Sequence, residues 1–391
     1  MDLLSSSCRN IETGHWQCPP QHRRFCLTPR RNKYNHTVTM LKTDPSAKRG
    51  LPLPMPVDQV EKRLSCPSTV VGEVLAGVEG PVLVLGAGGK MGLHVCAMLK
   101  RADESRERGR RVVAVSRFST VHGRSAFEES GVETLACDLE DDAALAALPD
   151  APNIIFMAGA KFGTGDQPDL LRRMNVELPR RVARRFAGAR CLVFSTGCVY
   201  SMVSPSSGGS RETDPTNPPG EYAKSCLERE LAFAGAARDH GSRVALIRLN
   251  YSTEFRYGVL VDIAQKVYKG QTVDLSMGWV NVIWQRDAID HILQAFRLAD
   301  TNPYILNVTG PKILSVRELA EGFGRLFGRE PVIYGKEEET AWLNNAEKAH
   351  SLFGLPPAGI GEMMEWTAAW IQSGAGTFGK PTGFEKRSGK F

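Results

Sequence analysis

The sequence predicts an α/β protein, a doubly wound parallel sheet followed by a smaller mixed α/β region at the C-terminal end. Three observations carry this expectation. A short apolar run at Pro81–Leu85 passes through a glycine-rich turn into a helical pattern. Similar short runs recur in VVAVS, VETLACDLED, NIIFMAGAKFG, CLVFSTGCVYS and RVALIRLNYS, separated by stretches long enough for crossover helices. After Asn250 that alternation gives way to a mixed pattern. The expected divisions are residues 1–56, 57–78, 79–250 and 251–391.

The first division is set apart by charge. The chain of 391 residues carries 49 Lys+Arg and 43 Asp+Glu, a net +6, and the first 50 residues, with nine basic and three acidic side chains, account for all of it. The rest is neutral and has no excess of positive charge from which to build a nucleic-acid-binding face. Pro19, Pro20, Pro29, Pro45, Pro52, Pro54 and Pro56 interrupt any periodicity, so residues 1–56 read as a disordered basic tail. Basic and poor in acids, the tail loosely resembles an organelle transit peptide, and Met40 is an alternative start. His15, Cys18, His22 and Cys26 match the spacing of no common zinc finger, and no metal site is expected. The nine cysteines include no CxxC pair, which makes a reducing, cytoplasmic setting the default. No run of ~18 apolar residues is present, so no membrane span is expected.

Val60, Leu64, Val70, Val71, Val74, Leu75 and Val78 predict short helices leading into the core. PVLVLGAGGKMGLHVCAMLK then reads as strand, glycine turn and helix, with Gly86, Gly88, Gly89, Met91 and Gly92 at the turn. Glycines suit such a turn because it is tight, because a pyrophosphate must approach backbone without a Cβ in the way, and because the helix packs closely on its strand; the helix N-terminus then faces the phosphates. A tight βα turn without ligand is the alternative. The following strand, Val112–Ser116, at the expected interval favours a dinucleotide site.

The spacing Gly86, Gly89, Gly92 resembles the extended short-chain dehydrogenases/reductases, the NAD-dependent epimerase/dehydratase family. The resemblance covers roughly residues 79–372. It implies a Rossmann-type dinucleotide-binding domain at 79–250 and a substrate-binding region with a C-terminal tail at 251–391. The second strand ends in Ser116 and Arg117 rather than an acidic residue, so NADP is favoured over NAD through a 2′-phosphate contact; a solvated surface arginine would leave NAD open. By the same resemblance Asp138 and Leu139 lie against adenine, Met157, Ala158 and Gly159 under the nicotinamide ribose, and Asn175 matches the asparagine of the next long helix.

In the family a tyrosine is the general acid/base and also meets the cofactor, a serine or threonine binds the substrate oxygen, and a lysine four residues after the tyrosine lowers its pKa. Here Thr196, four residues before Tyr200, is selected over Ser195, and Tyr222 follows Thr196 by 26 residues. The position four after Tyr222 is Cys226, and Lys224 points about 200° away around a helix. A phenol is a poor base at neutral pH without a nearby cation, so either the chemistry is lost or another cation serves. Lys161, just after the fourth strand, is the candidate, and a solvated loop lysine is the alternative. Relatives that dehydrate sugar nucleotides resemble STDEVY where this chain has Gly197 and Cys198, so elimination by that route is not expected. Gly197, Cys198 and Thr196 are expected at the substrate, together with Asn250 at the corner after the sixth strand. Asp287 is read as a helix cap, and Ser315 with Glu318 as a capping box.

The resemblance implies an NAD(P)-dependent epimerase or oxidoreductase acting on a sugar or sugar nucleotide, as a homodimer. A catalytically altered NADP-binding sensor is the alternative raised by Cys226.

Overall fold

The computed structural model describes residues 55–119, 121–161 and 167–389. The basic tail with its His15, Cys18, His22 and Cys26 lies outside the described residues. Two helices, α1 (Val57–Leu64) and α2 (Thr69–Ala76), open the described chain. In α1, Val60 and Leu64 are buried one turn apart, while Asp58 in the first turn and Lys62 and Arg63 in the last complement the helix dipole. Helix α2 is capped by Ser68, whose Oγ accepts from the Val71 N–H at 3.2 Å.

The central sheet has seven strands, all paired in parallel. They are β1 (Val82–Leu85), β2 (Val112–Ser116), β3 (Glu133–Ala136), β4 (Asn153–Phe156), β5 (Arg190–Thr196), β6 (Arg243–Leu249) and the edge strand Tyr304–Val308. Their order across the sheet is β3, β2, β1, β4, β5, β6, edge strand. Chain direction across the sheet reverses between β1 and β4, the point where a crevice opens at the carboxyl ends of such strands. β1 is apolar throughout because both faces of the sheet are covered. Val82 and Val84 join the core that contains helix α3 (Gly92–Glu104), whereas Leu83 and Leu85 join Val182 and Phe233 on the other face.

A second core gathers residues from distant stretches: Met55, Val60 and Leu64; Phe255 to Trp284; and Val316 to Phe384. At its centre Phe255 lies 5.0 Å from Trp284 and 5.3 Å from Trp370 between ring centroids. The 79–250 and 251–391 divisions therefore share elements. The edge strand belongs to the later division yet pairs with β6, and the helix Gln285–Gln294 places Ala288, Ile289, Ile292 and Leu293 in the first core. Ser315 caps the helix Val316–Phe327, its Oγ accepting from Glu318 N–H at 3.3 Å. Asp287 differs from its expected capping role: it is buried and its Oδ2 accepts from the Ala358 N–H at 2.9 Å, tying a distant loop to the helix. Among the described residues no helix is long and apolar enough to cross a membrane.

Two buried histidines give the fold an acid limit. Burial pushes His291 and His122 down from 6.5 to about 4 each. The unfolded chain takes up these protons below its ordinary histidine pKa while the folded chain does not, so stability present above pH 6.5 is lost as pH falls toward 4. At pH 5 each group costs roughly 2 kcal/mol. Thermal unfolding should therefore show a lower Tm at pH 5 than at pH 7, and His291→Leu should remove about half of that drop. An undiminished drop in the variant would exclude His291 as a cause.

Candidate functional site

The glycine turn is shaped by close packing. Gly86 has φ +84°, and a Cβ there would fall 2.5 Å from the backbone of Ala158. A Cβ on Gly92 would fall 1.9 Å from the Ala87 carbonyl oxygen, so helix and turn fit only without side chains at these two positions. The cleft above them is lined by Gly86, Gly88, Gly89, Ser116, Arg117, Asp138, Leu139, Met157, Ala158 and Gly159, ten of the positions expected from the sequence. Ser119, Cys137, Glu140 and Met174 complete the lining and were not anticipated. Met91 and Gly92 sit beneath, starting α3. Arg117 stands at the mouth with its side chain 57% exposed and its Nη1 3.5 Å from the Asp138 carboxylate. A bare-backbone turn at a helix start, backed by small residues and with a guanidinium at the end of β2, fits a dinucleotide.

Asn175 does not line this cleft. It lies fully buried in a π-helical turn, Arg173–Glu177. Its Nδ2 donates to the Ala160 carbonyl and to Ser225 Oγ, each at 2.9 Å; its Oδ1 accepts from Ala160 N–H at 2.9 Å and from Arg229 Nη2 at 2.8 Å. Asn175, expected at the cofactor, clamps the loop 157–161 to the helix Gly220–His240. Gly159 is required for this, since a Cβ there would lie 2.3 Å from Arg229 Nη2. Arg229 is the central residue that sequence reading missed, donating also to the Phe194 carbonyl at 2.9 Å. Its position seven after Tyr222, two turns along one helix face, was a usable signal.

Tyr222 lies in the first turn of the helix Gly220–His240, and the same helix buries Cys226 completely. Lys161 Nζ sits 5.5 Å from the centroid of the Tyr222 ring. Lys224 points elsewhere and bonds Glu221 at 2.9 Å on the surface. Burial raises the Tyr222 phenol well above its usual range, assisted by Cys226 and Cys198 and only partly opposed by Arg229. Burial also lowers Lys161, with Cys198 and Cys226 opposing, and raises both thiols, which stay neutral at neutral pH.

Thr196 ends β5 with its Oγ1 accepting from the Cys198 N–H at 3.2 Å. Ser195 is turned the other way and donates to Glu230 at 2.5 Å. Glu230 in turn holds Arg248 at 2.7 and 3.0 Å, and Arg248 donates to the Tyr200 hydroxyl at 2.6 Å. Asn250 is buried, with its Nδ2 3.3 Å from the Trp342 carbonyl. One of the two N–H groups of Asn250, expected at the substrate, is thus engaged by the chain itself. Gly197 faces Asn344: a Cβ at Gly197 would lie 2.3 Å from Asn344 Oδ1. Among the described residues no group of three or more His, Cys, Asp or Glu side chains is placed to hold a metal.

The C-terminal segment closes over this end. Thr382 donates twice to Asp262, at 2.8 and 2.6 Å; Phe384 is fully buried; Arg387 donates to Thr340 Oγ1 at 2.8 Å; and Gly389 packs on Pro219 and Gly220 beside Tyr222.

Solved structures share this architecture. A UDP-glucose 4-epimerase of Thermus thermophilus in complex with NAD aligns over 75% of this chain and 99% of its own, with TM-score 0.63 and 18% identity. The dTDP-glucose 4,6-dehydratase DesIV of Streptomyces venezuelae, with NAD bound, aligns over 75% and 97% with TM-score 0.64 and 18% identity. Pal from Bacillus thuringiensis aligns over 75% and 99% with TM-score 0.63 and 17% identity. Among curated proteins none matches the chain. Residues 82–308, more than half of the sequence and the whole of the seven-stranded sheet, match the NAD dependent epimerase/dehydratase family, and the chain belongs to that family.

Proposed function

We propose that the protein is an NAD(P)-dependent oxidoreductase acting on a sugar or sugar nucleotide, with Tyr222 as the proton donor to a substrate carbonyl oxygen. The observation that carries this reading is the half-buried Tyr222 ring at the start of its helix with Lys161 Nζ 5.5 Å from its centroid; burial raises the phenol, which stays protonated at neutral pH. A bound nicotinamide would supply or accept hydride at the substrate carbon. Thr196, oriented by the Cys198 N–H, donates its O–H to the same substrate oxygen. Lys161 supplies the positive charge that a developing phenolate needs once its proton has gone. A neutral phenol is poised to give a proton, which suits carbonyl reduction at neutral pH better than alcohol oxidation.

Arg117 supports NADP as the cofactor, since a guanidinium at the end of β2 pairs bidentately with phosphate. Arg117→Ser should weaken NADPH binding about 10- to 100-fold, the loss of a charge-assisted contact of roughly 1.5–3 kcal/mol, and leave NADH binding unchanged. Titration of cofactor fluorescence measures both, and equal affinities for the two cofactors in the unaltered protein would refute the assignment.

Epimerisation is the second reading, supported by the sugar-nucleotide 4-epimerases among proteins of this fold. Unfolding the purified protein separates the two. Stoichiometric release of tightly held NAD supports the epimerase; an empty protein that takes up NADPH and oxidises it with a keto sugar supports the reductase. Binding without turnover on either would leave the sensor.

A further inference from the structure

We propose that Tyr251 and Asn344 form the subsite that recognises neutral hydroxyl groups of the substrate, and so set its class as an uncharged sugar rather than a sugar acid. The inference rests on the function proposed above and deepens it.

Asn344 is 2% exposed, yet neither its Nδ2 nor its Oδ1 has a hydrogen-bond partner. Its backbone is firmly placed: Asn344 N–H donates to Asn281 Oδ1 at 2.9 Å, and on either side Leu343 O and Asn345 N bond Ser210 at 2.8 Å each. The unpaired amide is therefore not a loose side chain. It occupies the space left by the missing Cβ of Gly197, the residue directly after Thr196.

Tyr251 packs against the same core as Cys198, the residue after Gly197. It follows β6 with φ +42°, a left-handed conformation that bulky residues seldom adopt and that is retained where surrounding structure enforces it. Its backbone is tied by the Ile283 N–H to its carbonyl at 3.2 Å, and its hydroxyl is enclosed without a partner. The Tyr251 ring packs against the second core, to which Cys198 belongs, and burial first and then the neighbouring Cys198 raise its phenol. Two strained or unpaired groups thus flank Gly197 and Cys198, next to the oxygen of Thr196 and the ring of Tyr222. A buried polar group without a hydrogen bond costs free energy, and a ligand offering matching groups would relieve both.

Their chemistry selects the ligand. An amide offers donors and an acceptor, and a phenol does the same; sugar hydroxyls, each donor and acceptor at once, complement both. A carboxylate only accepts, would leave Asn344 Oδ1 unpaired, and would meet no cation from either residue.

Calorimetry on the NADPH-loaded full chain tests this, with UDP-glucose, UDP-glucuronate and UDP as probes. The unaltered protein should bind UDP-glucose at least tenfold more tightly than the other two. Tyr251→Phe and Asn344→Leu should each erase most of that preference while NADPH and UDP affinities stay the same. Unliganded Asn344→Leu should melt no lower than the parent, because an unpaired buried amide has been removed; an asparagine with a merely structural role would lower the melting temperature. Preference for UDP-glucose retained in both variants, or a preference for UDP-glucuronate in the parent, overturns the subsite alone. NADPH binding with no preference for any sugar over UDP overturns the sugar-nucleotide reading and the subsite together.

Discussion

Tyr222→Phe should reduce turnover by about 10²- to 10⁴-fold, the range a positioned proton donor contributes, while leaving cofactor affinity nearly unchanged. The ring stays in its place under Lys161, and only the hydroxyl is lost. Lys161→Met should also lower turnover, by at least about tenfold if the ammonium stabilises the phenolate as proposed. The two variants differ in pH dependence. With its phenol raised by burial, Tyr222 keeps its proton through neutral pH and contributes no titration of its own to the reductive rate there. The rate should fall on the alkaline side, beginning below the usual lysine range because burial makes Lys161 lose its proton early. That limb should move in Lys161→Met. Stopped-flow or steady-state rates across pH measure it, and an unaltered rate and profile would make Lys161 a loop lysine with no part in the chemistry.

Arg248→Met should destabilise the fold by about 3–5 kcal/mol, the effect of leaving a buried carboxylate without its partner. Arg248 and Glu230 are both only 4% exposed and make two hydrogen bonds to each other, with Ser195 and Tyr200 completing the network. Tyr200 passes the chain on to Asn307 Oδ1 at 3.0 Å, so β5, β6, the edge strand and the tyrosine-bearing helix meet at one ion pair. The double variant Arg248→Met with Glu230→Leu should recover much of the loss, since an apolar pair of similar volume carries no uncompensated charge. Urea unfolding midpoints measure both, and a single variant within about 1 kcal/mol of the parent would show the pair to be solvated.

The glycine turn and the succession of strands along the chain were legible because they rest on local spacing: apolar runs of strand length, helical intervals and glycines at fixed offsets. The places of Thr196, Tyr222 and Cys226 on their strand and helix were legible for the same reason, and Lys161, read as a nearby cation, lies 5.5 Å from the Tyr222 ring. Glu230 and Arg248 were not legible, because a charged residue on a helix or at a strand end reads as surface unless its distant partner is known; Arg229 offered only its helical interval from Tyr222. Asn175 had its spacing but not its partners: a side chain four ways engaged looks the same in sequence as one that meets a cofactor. At the corner after β6, the left-handed backbone of Tyr251 is a feature that no residue pattern announces. Asn344 stands far along the chain from Thr196 and reaches Gly197 only through the second core.

That second core also limits how the molecule can be altered or can move. It is assembled from residues before β1, Cys198 and Ala223 between β5 and β6, residues between β6 and the edge strand, and residues after the edge strand, so the backbone passes between the two cores several times. A swing of one lobe about a single hinge would have to bend every crossing at once, which leaves loop rearrangement as the cheap way to admit a ligand. The same threading means that substrate preference cannot be exchanged with a relative by joining two halves at residue 250. A chimera would need junctions on both sides of Tyr304–Val308 and would have to carry α1 with it.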